Sequence, residues 1–253
     1  MQAIDTYLDK GVNRFQQYEK QIQWMIFLFP IFFLIVMVLF KLYYPWWYRR
    51  LMMMEDSITE YSTFFLYFFS FCIAFAVSLR HYKNGATLLG FMYMALSLGL
   101  FFIAMEEISW GQRIFGVSTP DAFSGNIQNE LNFHNYKAFP LHSLYILVGF
   151  YGAFSRAALP KSIKSRYPEH VNAFTPGYSL FFYFFIVGFL YLYYEYLSPV
   201  AVHYLGEGFG WGPDHFIKAK EQEPAELLLA GGFFLFVLNQ WIGQLFEREK
   251  SFG

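Results

Sequence analysis

The 253-residue chain is 56% hydrophobic and 24% aromatic with only 15% charged residues, which excludes an ordinary soluble domain. A net charge of −1, with no basic stripe carrying interleaved aromatics, gives no basis for a nucleic-acid partner. The one cysteine, Cys72, lies inside an apolar run, so an internal disulfide and a paired-cysteine zinc site are excluded as well.

Residues 1–23 contain charges and no small-residue cleavage site, so the first apolar run reads as a retained helix, not as a removable signal peptide. Within them Ile4, Tyr7, Leu8, Phe15 and Ile22 fall roughly on one helical face, the pattern of an amphipathic helix lying on a membrane surface. Six apolar runs follow, Trp24 to Tyr43, Ser62 to Leu79, Ala86 to Met105, Leu141 to Phe154, Tyr178 to Tyr196 and Ala225 to Leu245. A crossing of about 30 Å of hydrocarbon needs about 20 residues, and only the fourth run is clearly short of that. Backbone polar groups in lipid must be satisfied within a helix or a closed barrel, and these runs lack the alternation of barrel strands. The expected fold is all-α, a bundle of about six transmembrane helices. With neither solenoid repeats nor a Ser- or Gly-rich linker, residues 24–253 read as a single domain.

Between the first two runs, Tyr43 to Arg50 ("YYPWWYRR") combines aromatics and bases as an interfacial anchor does. With six crossings, the N-terminus, the second and fourth connections and the C-terminus share one side, which holds 11 of the 18 Lys and Arg residues. The positive-inside bias then places both termini in the cytoplasm. The other side holds 7 bases and 13 of the 19 acids, 7 − 13 = −6, together with His134, His142, His203 and His215. Ionisable chemistry is therefore expected on the outer face.

The third run ends in "FFIAMEEISWGQRIFG", Phe101 to Gly116. A rise of about 1.5 Å per residue from Ala86 brings Glu106 to the outer hydrocarbon boundary. On a helix that continues through this stretch, Glu106, Trp110 and Arg113 are spaced i, i+4, i+7 and share a face, while Glu107 points about 100° away. Two carboxylates crowded at low dielectric are the material of general acid–base catalysis; the alternative is a solvated helix end.

In the next connection Asn126, Gln128, Glu130, Asn132 and His134 alternate with apolar Ile127, Leu131 and Phe133. An extended strand aligns the polar set on one face, and a helix brings Glu130 and His134 together at i, i+4. Such a pair binds a divalent metal with His142 or a neighbouring Glu as a further ligand, or acts as an oriented base without one. The remaining reading is a polar loop that plugs the mouth of the bundle through amide hydrogen bonds. Glu195, isolated among tyrosines in "YLYYEYLSP", needs a partner, and Arg113 is the candidate. The Gly-rich "VHYLGEGFGWGPDH" reads as a lid or as an ordinary loop. Asn239 and Gln240 read as interhelical hydrogen-bonding groups.

The string "EEISWGQRIFG", then "TP", then "NIQNELNFHN" resembles a pattern in bacterial polytopic inner-membrane proteins that carry no assigned activity. The resemblance covers roughly Glu106 to Asn135 and implies an inner-membrane location, but no reaction. The expected function is therefore read from residue types. A lipid or lipid-linked substrate binds between helices at the outer leaflet and is acted on by hydrolase or transferase chemistry. Glu106, Glu107, Glu130 and His134 are the candidate catalytic groups, and Trp110, Gln112, Arg113, Gln128, Asn135 and Glu195 the candidate substrate contacts. Glu130, His134 and His142 are the candidate metal ligands. The rival expectation is a non-enzymatic subunit with a protein partner in a membrane complex, or an ion or solute transporter.

Overall fold

The apolar runs are helices in the computed structural model, which describes residues 2–54, 56–121, 131–132, 141–206 and 222–250, with side chains described from residue 17 to residue 245 except that of residue 113. In chain order the helices are α1 (Gln2–Tyr43), α2 (Pro45–Met52), α3 (Ile58–Lys83), α4 (Thr87–Glu107), the single turn α5 (Gln112–Phe115), α6 (Leu141–Ala158), α7 (Lys161–Arg166), α8 (Pro168–Phe174), α9 (Phe181–Leu192), α10 (Ser198–Leu205) and α11 (Gln222–Lys250). There is no strand among the described residues. This is an all-α membrane protein.

Among the described residues five spans are long and apolar enough to cross a membrane: Gln17–Tyr43, Ile58–Lys83, Thr87–Glu107, Pro168–Leu205 and Gln222–Leu245. The fourth apolar run, α6, has 18 residues with His142 and Arg156 near its ends and is not among them. Residues 2–23, expected as a separate surface helix, continue into the first crossing as one helix, α1. Their sequence has no Gly-Pro or Asx signal strong enough to stop a helix there, and Pro30 is accommodated inside it.

The packing inverts the soluble pattern. Large apolar residues such as Phe32, Leu39, Phe65, Phe91, Leu98 and Leu147 face outward, whereas Thr59, Thr63, Ser70, Ser78 and Ser97 are buried. Small hydroxyls let helices approach closely and find carbonyl acceptors on themselves or a neighbour. Between α3 and α4, Ser78 donates to Gly90 O at 2.6 Å and Ser97 to Phe71 O at 3.3 Å. α3 begins with a Ser-x-x-Glu cap in which Ser57 Oγ accepts from Glu60 N at 3.2 Å.

α6 and α9 cross where two glycines meet. A Cβ placed on Gly149 would lie 2.5 Å from Gly188 Cα, and one on Gly152 2.2 Å from the Phe184 ring. α11 packs against both α3 and α9 and so joins the α3–α4 pair to the α6–α9 pair. α1 lies on the outside of α9, with the Phe27 and Phe182 rings 4.7 Å apart.

α4 and α6 do not close on each other. Between them lies an apolar cavity of about 180 Å³, walled by Met92, Tyr93 and Leu96 of α4 and Val148, Tyr151 and Gly152 of α6, with Phe184, Phe233 and Phe236 behind. One end of the bundle gathers the start of α3, the end of α4, the start of α6, the end of α9 and the start of α11, which are the positions of the acidic and histidine residues.

Candidate functional site

The end of α4 does not run on as a helix. After Glu107 the backbone turns left-handed at Ser109 (φ 47°), Trp110 (φ 53°) and Gly111 (φ 76°), then re-enters the short α5 and stops at Gly116 (φ 63°). Positive φ at a tryptophan is sterically costly and needs surrounding contacts to hold it. Two such contacts are present: Trp110 Nε1 donates to Glu106 Oε1 at 2.6 Å, and the fully buried Asn132 donates to Ser109 Oγ at 3.1 Å. The expected continuous face of Glu106, Trp110 and Arg113 is thus replaced by a folded-back turn. Glu106 and Trp110 still meet; the Arg113 side chain lies outside the described set.

Gln112, expected to touch substrate, has both ends of its amide engaged. Its Oε1 accepts from Leu131 N at 2.5 Å and its Nε2 donates to Thr119 Oγ1 at 2.7 Å. Together with the Asn132–Ser109 bond, it ties Thr119, Leu131 and Asn132 to the turn after α4. Gln128, Glu130, His134 and Asn135 fall outside the described residues.

Glu107 diverges from Glu106 as the helical spacing requires, and points inward at 9% exposure. There it meets two residues that the sequence reading passed over. Carboxylate oxygens of Glu107, Glu223 and Glu226 all lie within 4.8 Å of one another. Glu223 and Glu226 are one turn apart at the start of α11, and their Glu-x-x-Glu spacing was the available signal. Three tyrosines complete the surroundings: buried Tyr191 donates to Glu226 Oε1, the partly buried Tyr145 stacks on Tyr191 with ring centroids 4.3 Å apart, and Tyr67 is wholly buried. Tyrosine is so frequent here, 20 of 253 residues, that no single one stands out in the sequence.

His142 and Glu195 form the other half of the site. α9 gives way at Tyr193–Leu197 to a π-helical turn, a device that re-aims side chains and recurs at functional sites. It directs Glu195 Oε2 to within 2.7 Å of His142 Nδ1. On the far side of the imidazole, Gln222 Nε2 lies 3.3 Å from His142 Nε2. The ring also sits 5.2 Å from that of Tyr191. Tyr191 therefore links the two halves, its ring against His142 and its hydroxyl on Glu226. Glu195 thus has His142 as a partner; the side chain of Arg113, the partner expected from the sequence, lies outside the described residues.

A carboxylate on Nδ1 fixes the imidazole and leaves Nε2 as the reactive nitrogen, the arrangement of an oriented general base. The His142 side chain as a whole is 32% exposed, and Gln222 lies against its Nε2. Comparison with family models, with curated proteins and with solved structures gives no match for this chain.

Proposed function

We propose that this integral membrane protein holds an amphiphilic molecule, a lipid or a lipid-linked compound, in the opening between α4 and α6 and acts on its polar end as a hydrolase or transferase. The observation that carries the reading is the Glu195–His142 pair at 2.7 Å, an oriented base at the head of a helix whose other end walls an apolar cavity. From Leu96 at the cavity to Glu107 at the polar end is 11 residues of α4, about 16 Å at about 1.5 Å per residue. A molecule with its tail in the cavity and its polar group by Glu107 and His142 fits that spacing. His142 takes the proton from the attacking water or hydroxyl, and Glu195 steadies the imidazolium that results. Trp110 and Glu106 shape the rim.

Counted with α6 as a sixth crossing, the 11 to 7 distribution of Lys and Arg supports an inner-membrane protein with cytoplasmic termini and this polar end on the outer side. The test is to incubate the detergent-purified chain with a total lipid extract and analyse products by mass spectrometry. Products that form with wild type and are lost in both His142→Gln and Glu195→Gln are expected. No product, or the same product from both variants, overturns the reading.

A further inference from the structure

Glu107, Glu223 and Glu226 converge from two helices on one point, and their contributing oxygens all lie within 4.8 Å of one another. Two oxygens on opposite sides of a Ca²⁺ ion are about 4.6–5.2 Å apart, given bonds of about 2.3–2.6 Å. The three carboxylates therefore already span the coordination sphere of one hard divalent ion. Three negative charges so close, at the polar end of a membrane bundle, require a counter-charge or protons among them.

The Tyr67 hydroxyl is a second, independent pointer. It is completely buried, has no hydrogen-bond partner among the described residues, and lies within electrostatic reach of both Glu107 and Glu226. Buried hydroxyls are almost always paired, and a water on a cation held by Glu107 and Glu226 would provide the missing partner. Tyr191, meanwhile, occupies one oxygen of Glu226 and orients the other, as residues behind a metal ligand do.

We propose that Glu107, Glu223 and Glu226 bind one hard divalent cation of the Ca²⁺, Mg²⁺ or Mn²⁺ class, with Tyr67 hydrogen-bonded to a water on it. All-oxygen donors select this class over softer transition metals. The proposal uses none of Glu130, His134 and His142 and does not depend on any amphiphile being bound.

The probe is Mn²⁺ added to the full-length protein in detergent after chelator treatment, followed by electron paramagnetic resonance and by thermal unfolding. One Mn²⁺ per chain, displaced by excess Ca²⁺ and raising the melting temperature, is expected. Glu226→Gln should weaken Mn²⁺ binding by about tenfold or more, and Tyr67→Phe by a smaller factor while leaving the metal-free melting temperature unchanged or higher. If Glu107→Gln does not fold, Glu226→Gln, at a half-buried position, keeps the comparison open. Absence of stoichiometric Mn²⁺, or binding that persists unchanged in Glu226→Gln, overturns the proposal. So does a melting temperature that responds to pH but not to Mn²⁺, because protons alone would then balance the cluster.

Discussion

Replacing Gly149 by alanine tests the helix crossing that positions His142. The added Cβ would stand 2.5 Å from both Gly188 Cα and Gly188 N and 2.8 Å from Phe184 O. All three are backbone atoms of α9, so no side chain can swing aside and α6 must move by about 1 Å. Overpacking of this kind costs about 1–3 kcal/mol, against at most about 1 kcal/mol gained from the better helix propensity of alanine. A net loss of about 1–2 kcal/mol is expected in reversible unfolding in mixed micelles. Gly99→Ala is the control, since nothing lies within 4 Å of its added Cβ and the position is exposed on α4; it should be neutral or slightly stabilising. A Gly149→Ala protein as stable as wild type would mean that α6 and α9 do not meet at these glycines.

Other outcomes follow from individual contacts. The Trp110 to Glu106 hydrogen bond at 2.6 Å should give a coupling of about 1–3 kcal/mol in a double-mutant cycle of Trp110→Phe and Glu106→Gln, and strictly additive losses would contradict it. Asn132→Ala leaves the fully buried turn around Ser109 without one donor and should cost about 1–3 kcal/mol in the same unfolding assay; no loss would mean that Asn132 does not brace the turn. Cysteines introduced at Asp121 and at Lys161 should label from opposite sides of the membrane, Asp121 from the outside, as the basic-residue distribution requires. Labelling of both from one side would refute the expected topology.

The helical membrane class was legible because hydropathy is additive along the chain and needs no tertiary knowledge. Glu107, His142 and Glu195 were legible as candidates for a similar reason: an ionisable group placed near lipid is conspicuous in the sequence. Their partners were not. Glu195 pairs with a histidine 53 residues away through a π-helical turn, and no local spacing announces such a turn. The left-handed backbone at Ser109 and Trp110 was hidden too, since neither residue favours positive φ and the Asn132 bond that braces it comes from 23 residues along the chain. Glu223 and Glu226 were passed over because they lie at the start of the last apolar run, where acidic residues usually face water. Gly149 and Gly188 became visible as a pair only when the two helices were in contact.

The claim that an amphiphile occupies the opening between α4 and α6 is met most directly by lipid mass spectrometry on detergent-exchanged protein, comparing wild type with Leu96→Trp. Leu96 walls the cavity of about 180 Å³, and the larger indole fills it without touching Glu107 or His142, which lie at the other end of the bundle. The account predicts a lipid-like molecule retained at about one per chain in wild type and lost in Leu96→Trp, with the variant still folded. Equal retention by the two proteins, or none by either, would contradict it.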